Sequence, residues 1–140
     1  MQAVTRVTRR EQFSAAHRLF DPALSDAENQ ARFGPCSNPN GHGHNYRVEV
    51  TVEGAIDDKT GMVLDLKRLS EVVRVSVLDK VDHRNLNLEV DFMQGIQPTT
   101  ENLARRIFEQ LNGRLPAGRL YRVRVEETDK NSAEYGCADG

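Results

Sequence analysis

The segment HGHNYRVEVTVE, residues 42–53, decides the fold predicted for this sequence of 140 residues. Its side chains alternate between two faces, and a period of two predicts a β-strand with one buried face. The buried face collects His42, His44, Tyr46, Val48, Val50 and Val52. We therefore predict a long strand that begins with two histidines on the apolar side of a sheet.

A second long strand is predicted upstream, over residues 4–17. The side chains that share one face of it are Val7, Phe13, Ala15 and His17. This strand therefore also ends with a histidine on its apolar face.

Two helices are predicted downstream of these strands. Asp65 is the expected N-cap of the first helix, and Thr99 or Thr100, after Pro98, is the expected N-cap of the second, which ends at Gly113. The apolar face of the first carries Leu66, Leu69, Val73, Val77 and Val81. The apolar face of the second carries Leu103, Ile107 and Leu111.

Two further strands complete the predicted order. The third strand carries Tyr121, Val123, Val125 and Glu127 on one face, and residues 132–135 pair back on it after a turn. The order strand, strand, helix, helix, strand, strand predicts an α+β fold in one domain, residues 1–140. The expected architecture is a four-stranded antiparallel sheet with both helices on one face.

Composition limits the classes of function. Apolar residues make up 38% and charged residues 29% of the chain, which is ordinary for a globular protein. The formal net charge of -2 predicts no broad basic surface for nucleic acid. No apolar run is long enough to cross a membrane and no secretion signal opens the chain. We expect a cytoplasmic protein, bound to neither nucleic acid nor membrane, in which Cys36 and Cys137 are thiols.

The three histidines on strand faces are candidate metal ligands. His42 and His44 lie on the same side because strand side chains repeat every second residue, and Gly43 between them leaves room for close approach. A neighbouring antiparallel strand can bring His17 beside them. Three neutral imidazoles suit zinc and leave a fourth position open, which is the catalytic pattern. Three unrelated histidines with separate partners remain the alternative.

Cys36 lies in residues 21–41, a stretch rich in Asp, Asn, Pro and Gly that predicts a long loop with a helical turn at residues 25–30. Cys36 can be a fourth zinc ligand or a reactive thiol beside the metal, and its polar surroundings disfavour a buried structural role. A thiol acts as a base only as the thiolate, so it needs a partner. Asp82 and His83 can provide one, but the sequence alone favours a surface histidine at a helix end.

Glu127 stands out on the apolar face of the third strand, where an unpaired carboxylate costs roughly several kcal/mol. It can pair with a buried arginine, or it can bind a ligand that has two adjacent N–H donors. Thr99, Thr100 and Glu101 offer backbone N–H groups and hydroxyls to such a ring, although a helix cap explains them equally well.

Five motifs follow one another along the chain: FSAAHRL at residues 13–19, CSNPNGHGHNY at 36–46, DHRNL at 82–86, TTEN at 99–102 and VEET at 125–128. In order and spacing they resemble the 6-pyruvoyl-tetrahydropterin synthase family. The match spans nearly the whole chain, and only the tail beyond Asn131, which contains Cys137, departs from it.

The resemblance implies a tunnelling-fold subunit. Three such subunits close their sheets into a barrel, and two trimers stack into a homohexamer with active sites at subunit interfaces. The implied substrate is 7,8-dihydroneopterin triphosphate, from which triphosphate is eliminated with an internal redox rearrangement and without an external redox cofactor.

The resemblance also implies roles for individual residues. The implied zinc ligands are His17, His42 and His44. Cys36 is the implied base for carbon-bound protons, activated by Asp82 and His83 of a neighbouring subunit. The implied pterin contacts are Glu127, Thr99 and Thr100.

Two rivals remain. The first is the sister 6-carboxytetrahydropterin synthase of queuosine biosynthesis, which has the same fold, zinc ligands and substrate. The second is a non-catalytic, zinc-stabilised oligomeric module with Cys36 as the fourth ligand. Five residues separate Cys36 from His42, which resembles the pyruvoyl-forming branch, whereas the carboxy-forming branch typically has three. We therefore expect the pyruvoyl product.

Overall fold

The alternating pattern of residues 42–53 forms the central strand of a sheet in the computed structural model, which describes residues 3–138. In chain order, the strands are β1 (Thr5–His17), β2 (His42–Gly54), β3 (Arg84–Asn85), β4 (Arg119–Glu126) and β5 (Ser132–Gly136). The α-helices are α1 (Asp26–Phe33), α2 (Leu66–Val73), α3 (Asp79–Val81) and α4 (Thr100–Leu111). A π-helical segment, Arg74–Leu78, joins α2 to α3.

The sheet has the order β3-β1-β2-β4-β5. β1 and β2 are antiparallel along their full lengths, from Thr5 opposite Gly54 to His17 opposite His42. The α+β class is confirmed, but the prediction of four antiparallel strands is wrong in one respect. The two-residue strand β3 adds a fifth, parallel to β1 at Ala15 and Ala16, so the sheet is mixed.

The core lies between the sheet and the helices. The fully buried helix side chains that pack there are Leu69, Val73, Val77, Val81, Leu103, Ile107 and Leu111. Leu66, predicted to share this face, is 40% exposed because it opens α2. The first four of these residues recur at every fourth position. In an α-helix, side chains at this spacing rotate by about 40° around the helix axis from one to the next. The π-helical turns are wider, so they compensate for this rotation and keep these side chains facing the sheet.

A bulge alters the predicted face of β4. Thr51 pairs with Arg122 and Val52 pairs with Leu120, so Tyr121 is the extra residue. Leu120 is therefore buried together with Val123, and the prediction that Tyr121 shares their face is wrong. Nothing in the sequence of β2 or β4 indicates this shift in register.

The predicted loop between β1 and β2 contains a helix longer than the single turn expected. Ser25 caps α1, and a reciprocal pair of hydrogen bonds joins it to Glu28. Asn29, on the buried side of this helix, donates to the carbonyls of Asp21 and Ser25. The loop is thus an ordered unit.

Within residues 3–138, no helix has the length and apolarity to cross a membrane.

Gly41 and Gly61 provide a matched test of the strand end that carries His17. Both have a φ of 71°, but a Cβ at Gly41 meets the His17 carbonyl oxygen at 3.0 Å, whereas one at Gly61 meets nothing within 4 Å. Both alanine variants share a left-handed strain of about 1–2 kcal/mol. We expect Gly41→Ala to lower the free energy of unfolding in urea by at least about 1 kcal/mol more than Gly61→Ala. Equal losses would mean that the His17 contact relaxes without cost.

Candidate metal centre and active site

The register of β1 and β2 brings three imidazoles together. His17 pairs directly with His42, and His44 lies two residues along β2 on the same face. One nitrogen from each ring lies within 4.8 Å of the other two. The Nε2 atoms of His17 and His42 are 3.1 Å apart, and two ligands of a tetrahedral zinc at about 2.0–2.1 Å would be about 3.3 Å apart. The predicted cluster is therefore present and has the dimensions of a metal site.

The orientation of His17 is fixed from behind. Its Nδ1 lies 2.8 Å from the carbonyl oxygen of Pro98, and the buried hydroxyl of Tyr46 is 3.4 Å away. A carbonyl can only accept, so Nδ1 carries the proton and Nε2 presents its lone pair to the cluster. Burial lowers the pKa of His17, which keeps the ring neutral.

Among the three histidines, His44 gives the clearest indication of a metal site. Its Nε2 is buried and has no hydrogen-bond partner among residues 3–138; Oε1 of Glu127 is 3.5 Å away, without hydrogen-bond geometry. Burial also lowers the pKa of His44. An unpartnered, buried nitrogen on an imidazole that lies beside two others fits a metal ion. The three histidines can thus hold a metal.

Cys36 lies outside this cluster. It sits in a 3-10 turn, Gly34–Ser37, and is partly buried. The candidate ligand group within residues 3–138 consists of the three histidines alone. Cys36 and Cys137 are both free thiols, as predicted. This arrangement argues against Cys36 as a fourth ligand.

Asp82 and His83 lie at the end of α3. Ser14 N–H donates to Asp82 Oδ1 at 2.9 Å, and this bond lowers the pKa of the carboxyl. The same oxygen is 3.1 Å from His83 Nδ1. His83 is 83% exposed, and its imidazole is not part of the histidine cluster. The two residues form a pair, but this chain does not bring them into its own metal site.

Glu127 has no arginine or lysine partner among the described residues, so the buried-arginine alternative is wrong; its nearest basic group is the His44 imidazole. Its Oε2 accepts a hydrogen bond from the Thr100 hydroxyl at 2.9 Å. It lines an open cleft of about 580 Å³ together with Thr100, Lys130 and Asn131. Thr99, in contrast, is the N-cap of α4, where its hydroxyl accepts from the backbone of the third helical residue. The carboxyl group of Glu127 thus lines a cleft, with Oε2 held by Thr100 and Oε1 close to His44.

The candidate site side chains are held in place by residues that the sequence did not identify as part of the site. The Pro98 carbonyl orients His17, and Asn87, Gln97 and Arg18 fix the chain that follows β1. A backbone carbonyl has no signature in a sequence. Only the adjacency of Gln97 and Pro98 to the predicted cap at Thr99 pointed to this region.

Comparison with known proteins identifies the family. The sequence profile described as 6-pyruvoyl tetrahydropterin synthase matches residues 6–137. The chain belongs to this family. It is 49% identical to the 6-pyruvoyl tetrahydrobiopterin synthase of Homo sapiens over 129 residues, which cover 92% of this chain and 89% of the human protein. It is 47% identical to that of Drosophila melanogaster over 135 residues, 96% of this chain and 80% of the relative.

A solved structure supports the same assignment. The 6-pyruvoyl tetrahydropterin synthase of Caenorhabditis elegans superposes with a TM-score of 0.90 at 44% identity, covering 97% of each chain. The predicted membership of the 6-pyruvoyl tetrahydropterin synthase family is confirmed, and the chain is an enzyme of the lyase class.

The metal assignment predicts which histidines matter. We expect His42→Ala and His44→Ala to retain no bound metal after they have been loaded with zinc and dialysed, because each variant lacks one of the three donors. His83→Ala is the matched control and should keep the metal, since its imidazole is outside the cluster. Elemental analysis of the purified variants measures this directly, and full metal content in His42→Ala would refute the ligand assignment.

Proposed function

We propose that this chain is a zinc-dependent 6-pyruvoyl-tetrahydropterin synthase that eliminates triphosphate from 7,8-dihydroneopterin triphosphate. The observation that carries the proposal is the cluster of three imidazoles with a free thiol outside it, in a chain of this family. Three nitrogen donors leave a coordination position for substrate, which is the arrangement of catalytic zinc.

Zinc is the metal proposed because the donors are three imidazoles, which His17, His42 and His44 provide. Bound there, zinc would supply a Lewis acid that makes the carbon-bound hydrogens beside the substrate's side-chain hydroxyls more acidic. The chain's own residues then have to bind the pterin, hold the side chain and move protons.

Glu127 is proposed to anchor the pterin ring. Its carboxylate can accept from two adjacent N–H groups of the ring, and the hydroxyl of Thr100 already holds one of its oxygens. Thr99 supports this contact indirectly by capping the helix that carries Thr100. The cleft beside Glu127 is open enough to admit a flat bicyclic ring.

Cys36 is proposed as the base that removes carbon-bound protons. A thiolate base has to lie close to the substrate without being held by the metal, and the position of Cys36 outside the histidine cluster supports this. Asp82 and His83 of a neighbouring subunit would accept the thiol proton, with Asp82 fixing the imidazole tautomer.

Product identification tests the reaction. We expect zinc-loaded enzyme, incubated anaerobically with 7,8-dihydroneopterin triphosphate, to release triphosphate and 6-pyruvoyl-tetrahydropterin, as measured by mass spectrometry. A dominant 6-carboxy product accompanied by acetaldehyde would replace this reaction with that of the sister enzyme. Absence of turnover in zinc-loaded protein would favour the non-catalytic module.

A closed homo-oligomer, a hexamer by family resemblance, is proposed as the working form. β1 has a strand partner on its outer side only at Ala15 and Ala16 among the described residues, and β5 forms the opposite edge. Open edges of this length are usually covered in natural proteins. Pairing between copies would cover them and would present His83 of one copy to the site of another.

Mixed oligomers test the shared site. We expect Cys36→Ala and His83→Ala each to retain zinc but to lose most activity, because each removes one member of the proton relay. Oligomers reassembled from both variants should regain part of the activity, since some sites then combine an intact Cys36 with an intact His83. Cys137→Ala mixed with His83→Ala is the control for subunit exchange. No recovery after verified exchange would contradict a site shared between subunits.

A further inference from the structure

The chain that leaves β1 is held on one side by two side-chain amides. Asn87 accepts from the Arg18 backbone N–H at 2.7 Å and donates to the Arg18 carbonyl at 2.9 Å. Gln97 does the same for Phe20, accepting at 3.2 Å and donating at 2.6 Å. Both amides reproduce the paired hydrogen bonds that a neighbouring strand would make. Residues 18–20 thus have a fixed position although no strand lies beside them.

On its other side, the same segment holds the turn that carries Cys36. The Leu19 N–H donates to the Cys36 carbonyl at 2.8 Å, and Nε of Arg18 donates to the Ser37 carbonyl at 2.8 Å. Ser37 is buried, and its hydroxyl closes the turn by donating to the Gly34 carbonyl. Two consecutive carbonyls of the turn are therefore bound by the two residues that directly follow His17.

The guanidinium of Arg18 is itself well fixed. Its central carbon lies 4.0 Å from the centroid of the Phe20 ring, and one terminal nitrogen is 3.8 Å from the exposed carboxylate of Asp26. The side chain is 19% exposed, so most of it packs against protein. A stacked, planar guanidinium loses little further freedom when it donates to a carbonyl.

We propose that Arg18 is a positioning residue that sets the distance between Cys36 and the metal. His17 belongs to the histidine cluster, Arg18 and Leu19 follow it directly, and both bind the turn of Cys36. The metal site and the thiol are thus joined by two peptide units and two hydrogen bonds. This inference rests on the proposed roles of the histidines and of Cys36.

Position matters here because proton removal from carbon needs the base within contact distance and correctly aligned. A displacement of about 1 Å can cost about a hundredfold in rate. Removing the Arg18 hydrogen bond leaves the Leu19 contact, so the turn should stay folded while the thiol moves. Binding of the pterin ring, which uses Glu127 and Thr100, should be preserved because neither residue contacts Arg18.

The test uses zinc-loaded, full-length Arg18→Ala and Arg18→Lys. We expect kcat to fall by about tenfold to a hundredfold in Arg18→Ala, with KM within about twofold of wild type and zinc content unchanged. Arg18→Lys keeps the charge but places a methylene where Nε was, and its kcat should fall by at least about fivefold. Arg18→Lys also tests the proposal if Arg18→Ala does not fold.

A second measurement is independent of turnover. Alkylation of Cys36 by iodoacetamide, followed by peptide mass spectrometry, should become at least about threefold faster in Arg18→Ala because the released turn opens more often. Cys137 in the same molecule serves as the internal reference and should react at its wild-type rate. A thiol that is easier to alkylate but slower in catalysis is the signature of lost positioning.

Arg32→Ala is the matched control. Arg32 lies on α1 in the same loop, is half exposed and pairs with the carboxylate of Asp21 at 3.5 Å, so its loss should leave kcat unchanged. Wild-type kcat in Arg18→Lys, or an unchanged alkylation rate at Cys36, would overturn the proposal. An inactive wild type would overturn the proposed reaction instead, and the alkylation rates would still decide the role of Arg18.

Discussion

The pairing of His17 with His42 is the constraint on which the rest of the site depends. A slip of one residue between β1 and β2 would turn His17 to the opposite face of the sheet and separate it from the other two imidazoles. Long pairing from Thr5 to His17 opposes such a slip, and the stacked rings of Phe13 and Tyr46, 4.9 Å apart, lock the register within the core. The metal site is therefore a consequence of how the sheet is built, and its geometry is as rigid as the core beneath it.

The segment that precedes α4 connects this metal site to the rest of the active site. Pro98 orients His17 through its carbonyl, Gln97 fixes the backbone of Phe20, and Thr100 holds Glu127. Three of the four residues 97–100 thus contact a histidine of the cluster, the segment that carries Arg18, and the proposed pterin anchor. Because Thr99 begins a helix whose face is buried against the sheet, these contacts share one rigid support. Preorganisation of this kind is what a reaction limited by alignment requires.

The sequence predicted those features that repeat along the chain or that sit on a regular face. Alternation placed His17, His42 and His44 on buried faces, and their cluster followed from the pairing of two adjacent strands. The bulge at Tyr121 and the π-helical turns at Arg74–Leu78 could not be predicted in this way, since they correct small mismatches between strands or between helix and sheet. The strand β3 contains only two residues, too few for any pattern. Partners such as the Pro98 carbonyl belong to the backbone and have no residue type to recognise.

In the proposed mechanism, His83 acts in a second copy of the chain. It is the one non-glycine residue with positive φ, 58°, in the described part of the chain, and such a conformation costs a non-glycine residue about 1–2 kcal/mol. Its backbone N–H is bonded to the Ser14 carbonyl at 2.6 Å, and Asp82 accepts from the Ser14 N–H. These contacts hold the strained backbone, yet the imidazole they support is 83% exposed and does not belong to the chain's own histidine cluster. Strain retained without an internal use is characteristic of functional residues. An imidazole fixed at the sheet edge, beside a carboxylate that sets its tautomer, is suited to act in a second copy that pairs along that edge.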